Sequence, residues 1–463
     1  MNRSLPIGAP ALLALTLLAT SLGDRAIADV VSLLPQTSPI PQAANEQLRR
    51  HESPVLNEAI KLYRSGDTER SVQKLEELRK TDVSLPPADL VLVWLLLADR
   101  KVPEAKHKLE ELSARQPQDA QVALTLGQVA VSENRWADAA AHFERAATMP
   151  LPNAWNEQQR KSFAWTVLDL SASVFEQQQR WADAQRMLAA VRQLSPQNPH
   201  VLIRLARTHY RMNSPDETNK LLDEVEKIDR GATPAAILRA ELAFEAGRMD
   251  EAAKAIEAAE QAHAKNPLTQ LWKADWRLFN RDPQGALAAL DQAKALGAQA
   301  SDYLLPRGQA LLMKGDYASA VDILQRALEE VGKQNDLRRQ ATAGHLLAMA
   351  LACRDSKAVP QQAMDLAQRN ALEFSADPVM VGLLGWLCAK RGERTEARLL
   401  LNRALDLSPH VTADLSFFLA DFYARDPQHL KEARTFLTAA LDGTQGVFLM
   451  RGKAIELSKT LGK

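Results

Sequence analysis

From Val55 onward, apolar positions fall in amphipathic stretches at helical spacing, separated by short polar breaks that carry Gly, Asn or Pro. Strand-forming runs of Val, Ile and Thr are scarce, and Ala, Leu, Gln, Glu and Arg dominate, so the chain reads as all-α. A longer period lies over the helical one. Ser71, Ala105 and Ala139 stand 34 apart; so do Ala184, Thr218, Ala252, Ala286 and Ala320, and so do Ala363 and Ala397, with Ala433 following 36 later. A small residue recurring across most of a 463-residue chain marks a repeat array, not a single-core domain. A two-helix unit of that size cannot bury its own apolar face, so the units are expected to stack as an α-solenoid.

The clearest unit runs from Ser301 to Gly332. Two amphipathic stretches flank Gly315-Asp316, a turn in which Gly takes a left-handed conformation. Small residues at Gly308, Ala320 and Ala327 let the two helices approach, and Leu311 and Leu324 fill the space between them. Leu384-Gly385, Gly392, Ala397, Leu401, Ala404 and Pro409 repeat the arrangement, as do Leu126-Gly127, Trp136, Ala139, Phe143 and Ala146. Trp181, Ala184, Leu188 and Pro196 give another unit, and Gly247, Met249, Ala252, Ile256 and Ala259 a fifth. This pattern resembles the tetratricopeptide repeat. The resemblance covers residues 55–442 and implies about eleven stacked antiparallel helix pairs. Two phase breaks interrupt it. Ala139 and Ala184 stand 45 apart, with the excess near Pro150–Trp155, and Ala320 and Ala363 stand 43 apart, with the excess near Gly332–Asp336. Such insertions map to loops or lengthened helices, and they set candidate sub-segments at 55–150, 160–332 and 340–442. After Gly443 and Gly446, Val447 to Leu461 reads as one further helix, so residues 443–463 are expected to cap the last pair.

The N-terminus changes the picture of where the chain works. Arg3 precedes an apolar core, Ala11 to Ala19, and Ala26-Ile27-Ala28 supplies a small-residue cleavage site ahead of Asp29. Residues 1–28 are therefore expected to be an export signal, giving a periplasmic or secreted chain after cleavage following Ala28. A short membrane anchor is the other reading, although the apolar core falls well short of the roughly 20 residues a span needs. Residues 29–54, with Pro35, Pro39 and Pro41, are expected to form a flexible lead-in. Leu90 to Leu97 is apolar but short, and fits one buried helix, so no span is expected in the mature chain. Cys353 and Cys388 lie 35 apart in neighbouring repeats. Packed helix axes stand too far apart for an easy bridge, so two buried thiols are expected.

Lys+Arg and Asp+Glu balance at 57 each, leaving no field that would recruit nucleic acid. The chain has no H-E-x-x-H, phosphate-binding Gly loop, G-x-S-x-G or C-x-x-C. Its nine His are scattered, so no catalytic residue, metal or cofactor is expected. The resemblance implies that the first helix of each pair faces the concave side. Carried residue by residue, it places Ile203, Arg207, Tyr210 and Arg211 in one unit and Ile237, Glu241, Phe244 and Glu245 in the next. It places Leu271, Asp275, Leu278 and Phe279 in the third, near Trp272 and Trp276, and Gln309, Leu312 and Met313 in the fourth. Aromatics and Arg in a concavity anchor protein contacts, though the same aromatics could pack between helices instead. Arg207 and Arg211 are expected to face solvent. Some cytosolic members of the family hold a C-terminal carboxylate in a basic clamp; Arg207, Glu241 and Asp275 occupy the matching places here, and the acids would repel that group.

These features together point to an exported scaffold that binds a protein or peptide in its groove during envelope assembly or polysaccharide export. The alternative is an accessory subunit tethered to the inner membrane by an uncleaved signal.

Overall fold

Each of the eleven small residues of the ladder, from Ser71 to Ala433, is buried at the contact between two helices. The computed structural model describes Ala44, Leu48, and residues 54–81, 85–228, 233–334, 336–355, 358–408, 410–442 and 446–462. Among the described residues there are 23 α-helices, one short 3-10 turn and no strand. The chain divides into two compact units, one through Ile228 and one from Thr233 onward. Each is a stack of antiparallel helix pairs. The expected signal, residues 1–28, lies outside the described residues. Ala44 and Leu48, placed by sequence in the flexible lead-in, are helical and buried in the first core, so packing begins before Pro54.

The N-terminal unit holds five pairs: α1 (Pro54–Arg64) with α2 (Thr68–Thr81), α3 (Ala88–Ala98) with α4 (Val102–Arg115), α5 (Ala120–Ser132) with α6 (Trp136–Thr148), α7 (Glu157–Gln177) with α8 (Trp181–Leu194), and α9 (Pro199–Arg211) with α10 (Pro215–Ile228). The C-terminal unit holds six: α11 (Ala235–Glu245) with α12 (Met249–His263), α13 (Pro267–Phe279) with α14 (Pro283–Ala295), α15 (Ala300–Lys314) with α16 (Tyr317–Gly332), α17 (Leu337–Arg354) with α18 (Gln361–Glu373), α19 (Pro378–Arg391) with α20 (Arg394–Leu407), and α21 (Ala413–Ala424) with α22 (Leu430–Asp442), followed by α23 (Arg451–Leu461). The two phase breaks go partly into lengthened first helices and partly into longer connections, eight residues before α7 and six after α17. α7 has 21 residues and α17 has 18, against 11 to 15 for the other first helices.

The pairing rests on close approach. A Cβ added at Gly308 would lie 2.2 Å from the Leu324 side chain, one at Gly127 2.3 Å from Phe143, and one at Gly385 2.9 Å from Leu401. Where the small ladder residue carries a hydroxyl, it bonds back across the pair: Ser71 Oγ donates to the Ala59 carbonyl at 2.8 Å, and Thr218 Oγ1 to that of Ala206 at 3.3 Å. The turn between paired helices repeats as well. Gly66, Arg100 and Asn134 have positive φ, as do Gln179, Asn213, Gly247, Arg281 and Gly315. Polar side chains then start the next helix; Asp316, for example, accepts from the Ser319 amide at 3.2 Å.

The last helix differs from expectation. α23 begins at Arg451, and Gly446 to Met450 is non-helical. Val447-Phe448-Leu449-Met450 is an unbroken apolar run, and in a helix it would turn apolar side chains to every side. Outside a helix, with Leu449 and Met450 in a turn, it buries Phe448, Leu449 and Met450 in the C-terminal core. α23 packs on α21, α22 and α15, with the Arg434 guanidinium donating to the Leu461 carbonyl at 2.9 Å. No described helix is long and apolar enough to cross a membrane. Cys353 and Cys388 are free and buried, as the spacing argument expects.

Gly308→Ala is expected to destabilise the C-terminal unit by about 1–3 kcal/mol through overpacking on Leu324. Gly332→Ala, where an added Cβ meets nothing within 4 Å, is expected to be neutral or slightly stabilising. Urea denaturation of the two variants checks the contrast.

Candidate partner-binding groove

Within the C-terminal unit, successive first helices touch one another directly: α13 with α15, α15 with α17, α17 with α19, and α19 with α21. Successive second helices make no comparable contact. The first helices therefore form the inner wall. Tryptophans tie that wall together. Trp272 Nε1 donates to Glu241 at 2.8 Å, and Trp386 Nε1 to Asp421 at 2.8 Å. Trp94 in the N-terminal unit does the same to Thr125 at 3.1 Å.

This wall is more tightly packed than the sequence reading assumes. Of the groove residues chosen from sequence, Ile203, Arg207, Glu241, Phe244, Glu245, Trp272, Asp275, Phe279, Gln309 and Met313 are all buried, and only Tyr210 and Arg211 keep partial exposure. Arg207, expected to face solvent, is 5% exposed, which corrects that expectation. The neighbouring first helices of a solenoid flank each other so closely that a position on the inner wall is covered from both sides. Arg211 stacks on the Trp181 ring, 5.4 Å from its centroid. Trp272 and Glu241 are brought together by their hydrogen bond. Phe244 meets Phe279 edge-on at 4.9 Å, and Trp276 stacks on Phe279 at 5.7 Å. These aromatics join neighbouring helices, the packing role that the sequence left open beside the groove role.

Sequence reasoning passed over the most heavily connected charge of the N-terminal unit. Arg204, on α9, is 2% exposed and reaches α7 through Asp169, Ser173 and Glu176. Its guanidinium donates to Glu176 at 2.6 Å and to Ser173 Oγ at 2.9 Å. Burial alone would lower its pKa, yet the carboxylates of Glu176 and Asp169 hold it above the ordinary arginine value. The cation thus clamps α7 to α9. Helical patterning hides it, because Arg204 simply occupies an inner position between Ile203 and Leu205.

The inner wall of the C-terminal unit already has an occupant. Gly446 to Met450 lies along it, hydrogen-bonded to residues up to 167 positions earlier. The Gly446 amide donates to the Phe279 carbonyl at 2.8 Å, and Arg281 Nε donates to the Gly446 carbonyl at 3.2 Å. Val447 packs on Leu278, Ala310 and Met313. Phe448 sits under the Arg281 guanidinium, 5.4 Å from ring centroid to cation. The Asp414 carboxylate accepts from the amides of Met450 at 2.8 Å and Leu449 at 3.3 Å. Cys353 Sγ lies 3.8 Å from Met450 Sδ, and Lys453 covers the Tyr317 ring. Beside Asp414 is a cavity of about 20 Å³ lined by His345, Val379, Gly382, Thr412, Phe418 and Leu449.

Desolvation sets the electrostatics here. Burial pushes Asp414 up to about 6 against the pull of the two amides, and pushes His345 down to about 4. Burial also lowers Arg281 and Lys390 below their ordinary values. Among the described residues no group of three or more His, Cys, Asp or Glu is placed to hold a metal ion.

Two consequences can be measured. Arg204→Leu leaves Glu176 buried without its cation and is expected to cost about 3–5 kcal/mol of N-terminal-unit stability, read by chemical denaturation. The pH response has two opposed parts. Asp414, raised above its ordinary 3.8, contributes stability that is full below that value and lost as pH rises through about 6. His345, lowered from 6.5, contributes stability that is full above that value and lost as pH falls toward about 4. Removing Asp414 with Ala is therefore expected to make the melting temperature fall more steeply from pH 7 to pH 4.5 than in the wild type; melts across that range check it.

The sequence itself matches family models described as tetratricopeptide repeat at residues 176–242 and at residues 90–154 and 273–335. No curated protein matches the chain. Solved structures that resemble it include Pseudomonas aeruginosa pilF, 15% identical, covering 50% of this chain and 99% of that one with a TM-score of 0.32. PilW, a type IV pilus biogenesis factor, is 16% identical, covering 50% of this chain and 97% of its own with a TM-score of 0.30. The Cut9–Hcn1 assembly of APC/C is 14% identical, covering 87% of this chain and 83% of that one with a TM-score of 0.39. Values this low carry no argument about function. The ladder of small residues, the left-handed turns, the stacked pairs and the matched segments agree: the chain is a tetratricopeptide-repeat protein, a scaffold for protein interactions.

Proposed function

We propose that this scaffold works outside the cytoplasm, holding a protein or peptide partner during envelope assembly or polysaccharide export. The single observation that supports the location is the N-terminal pattern: Arg3, the apolar core from Ala11 to Ala19, and Ala26-Ile27-Ala28 before Asp29. The repeats support the scaffold role, since a stack of helix pairs offers a long surface to other molecules and the family is generally non-catalytic. Balanced charge fits a protein partner better than a nucleic acid. Expression of the full chain in a bacterial host, followed by fractionation and N-terminal sequencing, tests the reading. A soluble periplasmic chain starting at Asp29 is the expected result. A membrane-bound chain retaining residues 1–28 would replace it with the tethered accessory subunit, and a cytoplasmic chain would refute export altogether.

A further inference from the structure

We propose that the cleft between the second helices α8 and α10 of the N-terminal unit binds a neutral saccharide. The site lies between second helices and is apart from the wall of first helices, so the inference goes beyond the reading of the protein as a scaffold for a protein partner.

Three observations carry it. The first is a break in the repeat. Five positions after the ladder residue, ten of the eleven second helices carry Asp, Glu, Gln, Asn or Thr, as at Glu144, Asp223 and Glu257. In α8 that place holds Ala189. Ala189 lines a cleft of about 530 Å³ whose floor includes Leu205 of α9 and Leu221 of α10. Both leucines are 3% exposed, so the floor is apolar and fixed by the core. That volume falls in the range of small-molecule sites, roughly 300–1,000 Å³. The second is unspent hydrogen-bonding capacity. Gln185 and Gln193 of α8 and His209 of α9 line the same cleft. None of these three side chains bonds to another described residue. A side-chain amide and a neutral imidazole each offer both a donor and an acceptor, which suits a hydroxyl group that also does both. The third is that the nearby charges are already committed. Arg192 gives its guanidinium to both carboxylate oxygens of Glu224, at 2.7 and 2.8 Å. Glu217 lies 3.8 Å from the Lys220 ammonium. A charged ligand would therefore enter without a counter-charge, and the cleft disfavours it. A sugar ring meets all three conditions: its C–H face rests on the apolar floor and its hydroxyls reach the free amides and imidazole.

The test uses the full chain and saturation-transfer NMR. The probes are cellotriose, maltotriose and the trisaccharide of N-acetylglucosamine, with trigalacturonate as the charged control. Transfer to at least one neutral sugar is expected, and less to the control. Ala189→Glu restores the kind of residue that the other second helices carry at this place. It is expected to melt close to the wild type and to lose the signal, because the longer side chain fills the cleft. Gln185→Ala is expected to weaken the affinity about tenfold through a lost hydrogen bond. Silence from all three neutral sugars would overturn the proposal. So would a signal that persists in a folded Ala189→Glu chain, or a preference for trigalacturonate. Should Ala189→Glu fail to fold, Gln185→Ala decides, and an unchanged affinity in that variant rejects the site. The sugar titration does not depend on where the chain is found, so this proposal and the export reading fail separately.

Discussion

Two helices can lie against each other at the separation seen here only where one of them lacks a side chain at the crossing. Gly127, Gly308 and Gly385 meet that condition against Phe143, Leu324 and Leu401, where even a methyl group would collide. The ladder residues on the second helices, Ala139, Ala320 and Ala397 among them, meet it from the other side. Everything else follows from that approach. It sets the spacing of the pair, the spacing sets the short left-handed turn, and the turn and helix lengths together return the chain to the same place every 34 residues. The two exceptions show how firm the constraint is. The extra residues before Ala184 and Ala363 lengthen α7, α17 and the connections beside them, while Ala184 and Ala363 stay fully buried.

The array was legible in the sequence because its determinants are local. Ala320, Gly315 and Leu324 lie within ten residues of each other and recur, so that a reader needs no tertiary knowledge to join them. The inner wall was not legible, since its burial comes from elements about thirty residues away. Arg204, Arg207, Glu241 and Asp275 carry charges that a helical wheel assigns to solvent, yet all are buried. Arg204 meets its acids on the preceding first helix, and Glu241 meets Trp272 on the next one. The segment from Gly446 to Met450 was harder still. Its partners, Phe279, Arg281, Met313 and Asp414, are scattered over three helix pairs. The one signal was the unbroken run of four apolar residues after a glycine, too short and too uniform to show a helical period.

Charges inside the wall and apolar chain along it serve different ends. The Arg204 network joins two adjacent helices and needs no outside partner. Asp414 joins α21 to the turn that leads into α23 through backbone amides alone.

Cys353 and Cys388 extend this view to the chain's surroundings. Burial holds both thiols far toward the protonated form, at about 12, and neither is bridged. Thiolate, not thiol, attacks oxidants and disulfides, so the folded chain is chemically quiet toward both. Small exported domains commonly depend on cross-links for their stability. The repeats described here draw their stability from helix packing, and the native state can form without waiting for oxidation and persist whatever the redox poise around it.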